Sequence, residues 1–196
     1  MPETLRLFIA IELPTSVSQA LGALQTHLGS GTDRSAKWVA PAGIHLTLVF
    51  LGDVPSPRVP HIADALARAA QGAGPFSLHL AGAGCFPSLQ RPRVIWVGLE
   101  GDTSRLAHLQ RDVADRMERL GFPAERRPFT PHLTLARIRD TAQPDEARRL
   151  AEAVARLAVP HIAFTVTSIG LIRSELQPAG AVYTRLAESP LEGSVK

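Results

Sequence analysis

The tetrapeptide His45-Leu46-Thr47-Leu48 recurs letter for letter as His132-Leu133-Thr134-Leu135, once in each half of a 196-residue chain. A repeat of this kind points to a duplicated unit. In a strand, residues two apart share a face. His45 and Thr47 therefore point one way, and Leu46 and Leu48 point to the opposite, core side. His132 and Thr134 do the same. If the two strands lie in a pseudo-symmetric arrangement, two imidazoles and two hydroxyls converge on one cleft.

That set of groups suits phosphoester chemistry. Histidine, with an ordinary pKa of about 6.5, takes either protonation state near neutral pH. One neutral imidazole can accept a proton from an attacking water, while an imidazolium delivers one to a leaving ribose oxygen. Threonine hydroxyls can donate to phosphoryl oxygens where charge accumulates. The motifs are identical, so they do not say which histidine is acid and which is base. A lone histidine on a strand is ordinarily a surface or hydrogen-bonded polar residue, and an identical pair could also be a structural repeat in which His–Thr pairs cap sheet ends. The other five histidines, His27, His61, His79, His108 and His161, have no threonine partner and are read as structural or surface groups.

Outward from the motifs, strand and helix patterns alternate. Leu5–Leu13, Trp38–Val39, Ile44–Leu51, Phe76–Leu80, Val94–Leu99 and Pro131–Ile138 read as strands. Two final strands are expected at about Ile162–Ile172 and Val182–Leu186. Helices are expected from Pro14-Thr15-Ser16 to about His27, with proline and a hydroxyl cap at its start, and over Val59–Ala70. Two more are expected, one capped by Asp102 or Thr103 and ended by Gly121, the other over Pro144–Leu157. The pattern predicts an α+β fold, residues 1–188 forming a single two-lobed domain, with a flexible tail over 189–196.

Composition narrows the function classes. The chain is 45% apolar, and no apolar run approaches the roughly 20 residues that span a bilayer. Leu5–Leu13 is interrupted by Arg6 and Glu12 and reads as a strand, not a signal peptide. A single cysteine, Cys85, excludes an internal disulfide and any multi-cysteine metal site, and the expected compartment is the cytoplasm. A net charge of +3 and a pI near 9.7 lean towards an anionic partner. Arginine far outnumbers Lys37 and Lys196, a bias that suits phosphate but that genome composition explains as well. No glycine-rich phosphate loop or dinucleotide fingerprint is present, so no cofactor is expected. A zinc site would want a third convergent ligand that the sequence does not specify.

The flanks of the two motifs make the chain recognisable. Arg6-Leu7-Phe8-Ile9-Ala10, Trp38, the run His45 to Gly52, Cys85-Phe86-Pro87, Pro92 to Val97, Arg127 to Arg137, Ser174 to Gly180 and Tyr183 resemble the LigT/ThpR family of RNA 2′,3′-cyclic phosphodiesterases. That family lies within the two-histidine phosphoesterase superfamily and is defined by paired His-x-Thr-x motifs. The resemblance implies a bilobal α+β fold with pseudo-two-fold lobes, each with an antiparallel sheet flanked by helices, and a basic cleft between them. It implies hydrolysis of an RNA terminal 2′,3′-cyclic phosphate to a 2′-phosphate without a metal, with 2′–5′ RNA joining as a related activity. By carry-over, His45 is the general acid, His132 the general base, and Thr47 and Thr134 bind the phosphate. Arg137 matches a family arginine near the phosphate, and Phe50, Phe129 and Phe8 are candidates to stack on the terminal base.

Strand parity complicates two of these residues. Phe50 and Arg137 each follow their histidine by five, an odd offset that turns an ideal strand's side chain to the far face. For Phe50 core packing is the alternative. For Arg137 a buried charge would be costly, so the strand is expected to end, twist or bulge before it. Arg126 and Arg127 read as a solvated basic rim attracting RNA. The expected partner is thus RNA with a 2′,3′-cyclic phosphate end, such as a tRNA half, and a monomer satisfies every feature. Two other readings stay open: a phosphodiesterase for a small cyclic nucleotide or ADP-ribose cyclic phosphate, and a non-catalytic RNA-end-binding module.

Overall fold

The computed structural model describes residues 3–29, 34–123, 125, 127–177 and 180–193. In chain order the elements are β1 (Thr4–Glu12), α1 (Thr15–His27), β2 (Ala36–Trp38), β3 (His45–Pro55), α2 (Val59–Ala70), β4 (Gln71–Gly72), β5 (Phe76–Ser88), β6 (Arg91–Gly101), α3 (Thr103–Arg119), β7 (His132–Ile138), α4 (Pro144–Ala155), β8 (Ala163–Val166), β9 (Ser168–Gln177), β10 (Gly180–Pro190) and β11 (Glu192–Gly193). Two antiparallel sheets carry the fold. The first runs β10-β9-β1-β3 and the second β2-β7-β6-β5-β8. Read from the motif strand inwards, β3-β1-β9-β10 matches β7-β6-β5-β8, which is the duplication the tetrapeptides announce.

The helices follow amphipathic stripes. In α3, Leu106, Leu109, Val113 and Met117 are buried, and the helix packs against β3 and α2. It ends as the sequence suggests: Gly121 takes φ 84° and the Phe122 amide donates to the Met117 carbonyl. Its start differs from expectation. Asp102 occupies the N-cap but makes no cap bond, because its carboxylate accepts instead from the Ser77 amide at 3.0 Å. The expected hydroxyl cap of α1 is likewise not made, since Pro14 holds that position. α4 starts with a complete capping box between Gln143 and Glu146. Among the described residues no helix is long and apolar enough to cross a membrane.

Two expectations about the C-terminal part are corrected. The strand expected over Ile162–Ile172 is broken at Thr167: β8 joins the second sheet beside β5, and β9 joins the first beside β1. An uninterrupted apolar run does not show where a chain changes sheets. The flexible tail expected from residue 189 is packed as far as Gly193. Ser189 and Pro190 extend β10, Leu191 is buried, and Glu192–Gly193 pair with Gln71–Gly72. Residues 194–196 lie outside the described set.

One core serves both lobes, joining Leu7, Ile9 and Leu46 of the first sheet with Ile95, Val97 and Leu133 of the second. A separate small cluster, Phe8, Ala10 and Ile172 with Tyr183 against it, lies on the other face of the first sheet. That face also carries His45.

Candidate active site

Each motif histidine opens its strand. His45 pairs with Glu12 of β1, and His132 pairs with Gly98 of β6. Thr47 sits opposite Ala10, and Thr134 opposite Trp96. His45 Nδ1 donates to the Gly43 carbonyl at 2.8 Å, and His132 Nδ1 donates to the Thr130 carbonyl at 2.7 Å. A carbonyl oxygen only accepts, so each Nδ1 carries a proton and each Nε2 is the nitrogen at which the ring can gain or lose one. Neutral, it is a base; protonated, it is an acid.

The parity problem is resolved in the same way in both strands. Along β3 the pairing passes from Thr47–Ala10 to Val49–Ile9, leaving Leu48 as an extra residue. Along β7 it passes from Thr134–Trp96 to Ala136–Ile95, leaving Leu135 extra. A bulge of one residue inverts the alternation beyond it. Leu135 and Ala136 are both buried and Arg137 is exposed. Phe50, paired with Phe8, is 66% exposed, which removes the core-packing alternative for it. The bulges put Phe50 and Arg137 on the faces of their histidines, as the expectation for Arg137 required. Arg137 has no acidic partner among the described residues, and its antiparallel neighbour on β2 is Lys37.

The surroundings of the two imidazoles differ. Phe8 stacks on His45 with ring centroids 4.6 Å apart and 26° between planes. Tyr183 meets the same imidazole edge-on at 5.0 Å, and Phe8 at 5.4 Å. This wall buries His45 and lowers its pKa from 6.5, an effect the Gly43 hydrogen bond opposes only in part. Glu12, Gly43, Ile44, Ile172 and Tyr183 line a small cavity beside it. His132 is flanked by Phe86, edge-on at 4.9 Å, and Phe86 in turn lies 5.2 Å from Trp96.

Two of the stacking candidates are thereby revised. Phe8 is 4% exposed and its ring face is taken by His45, so it is a wall of the site and not a free platform. Phe129 is half-buried and packed against the core, and the ring beside His132 is Phe86. Arg127 stands in solvent near Glu125, while Arg126 lies outside the described residues. Local pattern does not single out Tyr183, Phe86 or Trp96 as site groups, because strand pairing brings them in from distant segments. Cys85 is buried and its thiol is pushed up to about 11, which leaves it protonated and unreactive at neutral pH. Among the described residues no three His, Cys, Asp or Glu side chains are grouped as a metal would need.

Two lobes, each presenting a histidine, a threonine and a bulge in the same order, define a duplicated two-lobed scaffold. The chain belongs to the 2′-5′ RNA ligase superfamily, whose family model matches residues 13–178. It is 33% identical over 192 residues to an RNA 2′,3′-cyclic phosphodiesterase of Thermotoga maritima, covering 97% of this chain and 98% of that one. It is 35% identical to a protein of the same name from Geobacillus stearothermophilus, over 95% of this chain but 57% of that longer protein. Among solved structures, a Thermus thermophilus protein superimposes with a TM-score of 0.79 at 34% identity, over 96% of this chain and 99% of that one. E. coli LigT complexed with 3′-AMP gives 0.76 at 27% identity, over 96% and 99%.

Proposed function

We propose that this protein hydrolyses the terminal 2′,3′-cyclic phosphate of RNA to a 2′-phosphate, with His45 and His132 as its acid–base pair. The observation that carries the reading is the matched pair of Nδ1–carbonyl bonds, which leaves one Nε2 on each motif strand for proton transfer. The names of the relatives supply the substrate class.

In this scheme His132 Nε2 takes a proton from water as the water oxygen bonds to phosphorus. The bond from phosphorus to the ribose 3′ oxygen breaks, and His45 Nε2–H protonates that oxygen. The products are a 2′-phosphate and a free 3′-hydroxyl. His45 ends neutral and His132 protonated, and exchange with solvent restores both. Thr47 and Thr134 donate to the phosphoryl oxygens, Arg137 offsets their charge, and Phe50 stacks on the terminal base. A 5′-hydroxyl in place of water would form a 2′–5′ linkage by the same steps, which relates hydrolysis to the joining activity in the superfamily name. The roles of the two histidines follow the family resemblance. Burial of His45 favours its neutral form in the free protein, so the acid role depends on the substrate's phosphate anion to hold the proton there.

The test is incubation with a short RNA ending in a 2′,3′-cyclic phosphate, in EDTA, with identification of the product end. A 2′-phosphate end that disappears in the His45→Ala and His132→Ala variants is the expected result. A 3′-phosphate product would overturn the regiochemistry. Turnover only of cyclic mononucleotides would replace the substrate, and tight RNA-end binding without turnover would make the protein a binding module.

A further inference from the structure

A bulge leaves its extra residue out of the pairing with one neighbouring strand, so its position depends on what else holds that residue. At both motif bulges a glutamine donates to the carbonyl of the extra residue. Gln25 Nε2 donates to the Leu135 carbonyl at 2.9 Å, an oxygen that also accepts from the Val39 amide at 2.9 Å. With its second hydrogen it donates to the Val39 carbonyl at 2.7 Å, so it clamps the bulge to the neighbouring segment. Gln110 Nε2 donates to the Leu48 carbonyl at 3.3 Å. Gln25 is 2% exposed, and its two amide hydrogens are both used.

The connections are crossed. Gln25 lies on α1, which follows β1 of the first sheet, yet it grips β7 of the second. Gln110 lies on α3, which follows β6 of the second sheet, yet it grips β3 of the first. The two helices are equivalent in the duplicated fold, and each binds the bulge of the other half's motif strand. What the bulge decides is the face on which the residue five after the histidine emerges.

We infer that Gln25 and Gln110 are positioning residues: Gln25 sets Arg137 beside His132 and Thr134, and Gln110 sets Phe50 beside His45 and Thr47, each by fixing a bulge carbonyl from a helix of the other half of the chain. The inference rests on the function proposed above and assigns to each glutamine a separate target. Losing a fixed bulge lets the strand slide towards regular pairing, which would turn Arg137 or Phe50 away from the substrate.

The test is a pair of double-mutant cycles on RNA cyclic-phosphate turnover, using Gln→Met to keep volume and remove the donor. Gln25→Met is expected to lower kcat/KM roughly 10- to 100-fold, the scale of a misplaced binding group. It should have little further effect once Arg137→Ala is present, and its full effect in Phe50→Ala. Gln110→Met should show the reverse pattern. Full additivity in both cycles would overturn the inference and leave the glutamines as general core anchors. If Gln25→Met does not fold, Gln25→His, which keeps a ring N–H donor, and the Gln110 cycle decide. If the unsubstituted protein does not turn over RNA, the proposed function fails by itself. The Gln25 cycle is then read in affinity for inorganic phosphate, and the same coupling to Arg137 is expected.

Discussion

Phe50 and Arg137 occupy equivalent places in the two lobes: each follows its motif histidine by five residues and reaches that histidine's face only because one leucine, Leu48 or Leu135, is left out of the strand pairing. The equivalence is geometric and not chemical. One lobe offers an aromatic ring and the other a guanidinium, two different contacts that would suit the proposed substrate, with a base at one end and a phosphate at the other.

Phe50→Ala should separate binding from stability. An exposed ring contributes little to folding, so the unfolding free energy should stay within about 0.5 kcal/mol. KM should rise roughly 10-fold if a base stacks there. Steady-state kinetics beside a denaturant titration checks both, and an unchanged KM would remove Phe50 from the binding surface.

Phe8→Ala should do the opposite. The ring is buried and stacked on His45, so its removal should cost about 3 kcal/mol of stability. It should also admit water to the imidazole and raise the His45 pKa towards 6.5, because burial is what lowers it. NMR titration of the His45 ring protons would show the shift, and a pKa that falls further would contradict this account of the wall.

The pH–rate profile should be bell-shaped, with limbs belonging to the coupled pair. An acid works only while protonated, so the rate is lost as pH rises through the His45 pKa. In the free protein that pKa lies below 6.5, and a bound phosphate anion raises it. The alkaline limb of kcat/KM should therefore fall at lower pH than that of kcat. Coincident limbs, or the reverse order, would take the acid role away from His45.

Burial of neutral His45 also ties stability to pH. The unfolded chain holds that proton more tightly, so this contribution is complete above about pH 6.5 and is lost as pH drops below it. The denaturant midpoint should decline on acidification through that range, and His45→Gln should flatten the decline. An equal decline in the variant would place its source in another group.

Arg137→Lys keeps the charge and removes the fork. If the guanidinium engages two phosphoryl oxygens, the lysine variant should lose roughly 10-fold or more in kcat/KM while salt dependence is retained. Full activity in the variant would reduce Arg137 to a general electrostatic attraction.

The repeated HLTL letters specify two strands, their inward leucines and the shared face of His and Thr, because a strict alternation admits one arrangement. The bulges are less legible. Their only mark is a pair of successive apolar residues, Leu48-Val49 and Leu135-Ala136, which reads equally well as continuous core. Charge supplies the missing step for Arg137, since a guanidinium could not be left in the core, and Phe50 offers no such constraint. Gln25 and Gln110 do leave a trace: each interrupts an otherwise apolar helical stripe, Val17-Leu21-Leu24 and Leu106-Leu109-Val113. Phe86 and Tyr183 leave none, because contacts between segments so far apart are set by sheet order and not by local pattern.

The crossing of the chain at Thr167 has a consequence for how the protein is made. β1 is an interior strand of its sheet, yet one of its two neighbours, β9, and the outer strand β10 come from the end of the chain. During synthesis β5, β6 and β7 can close around His132 while β1 still presents an unpaired edge, a surface prone to association. Ile172 and Tyr183, which complete the wall at His45, are translated later still. Of two histidines written in identical letters, the second thus has its neighbours Phe86 and Trp96 already translated when it emerges, while the first waits for Ile172 and Tyr183.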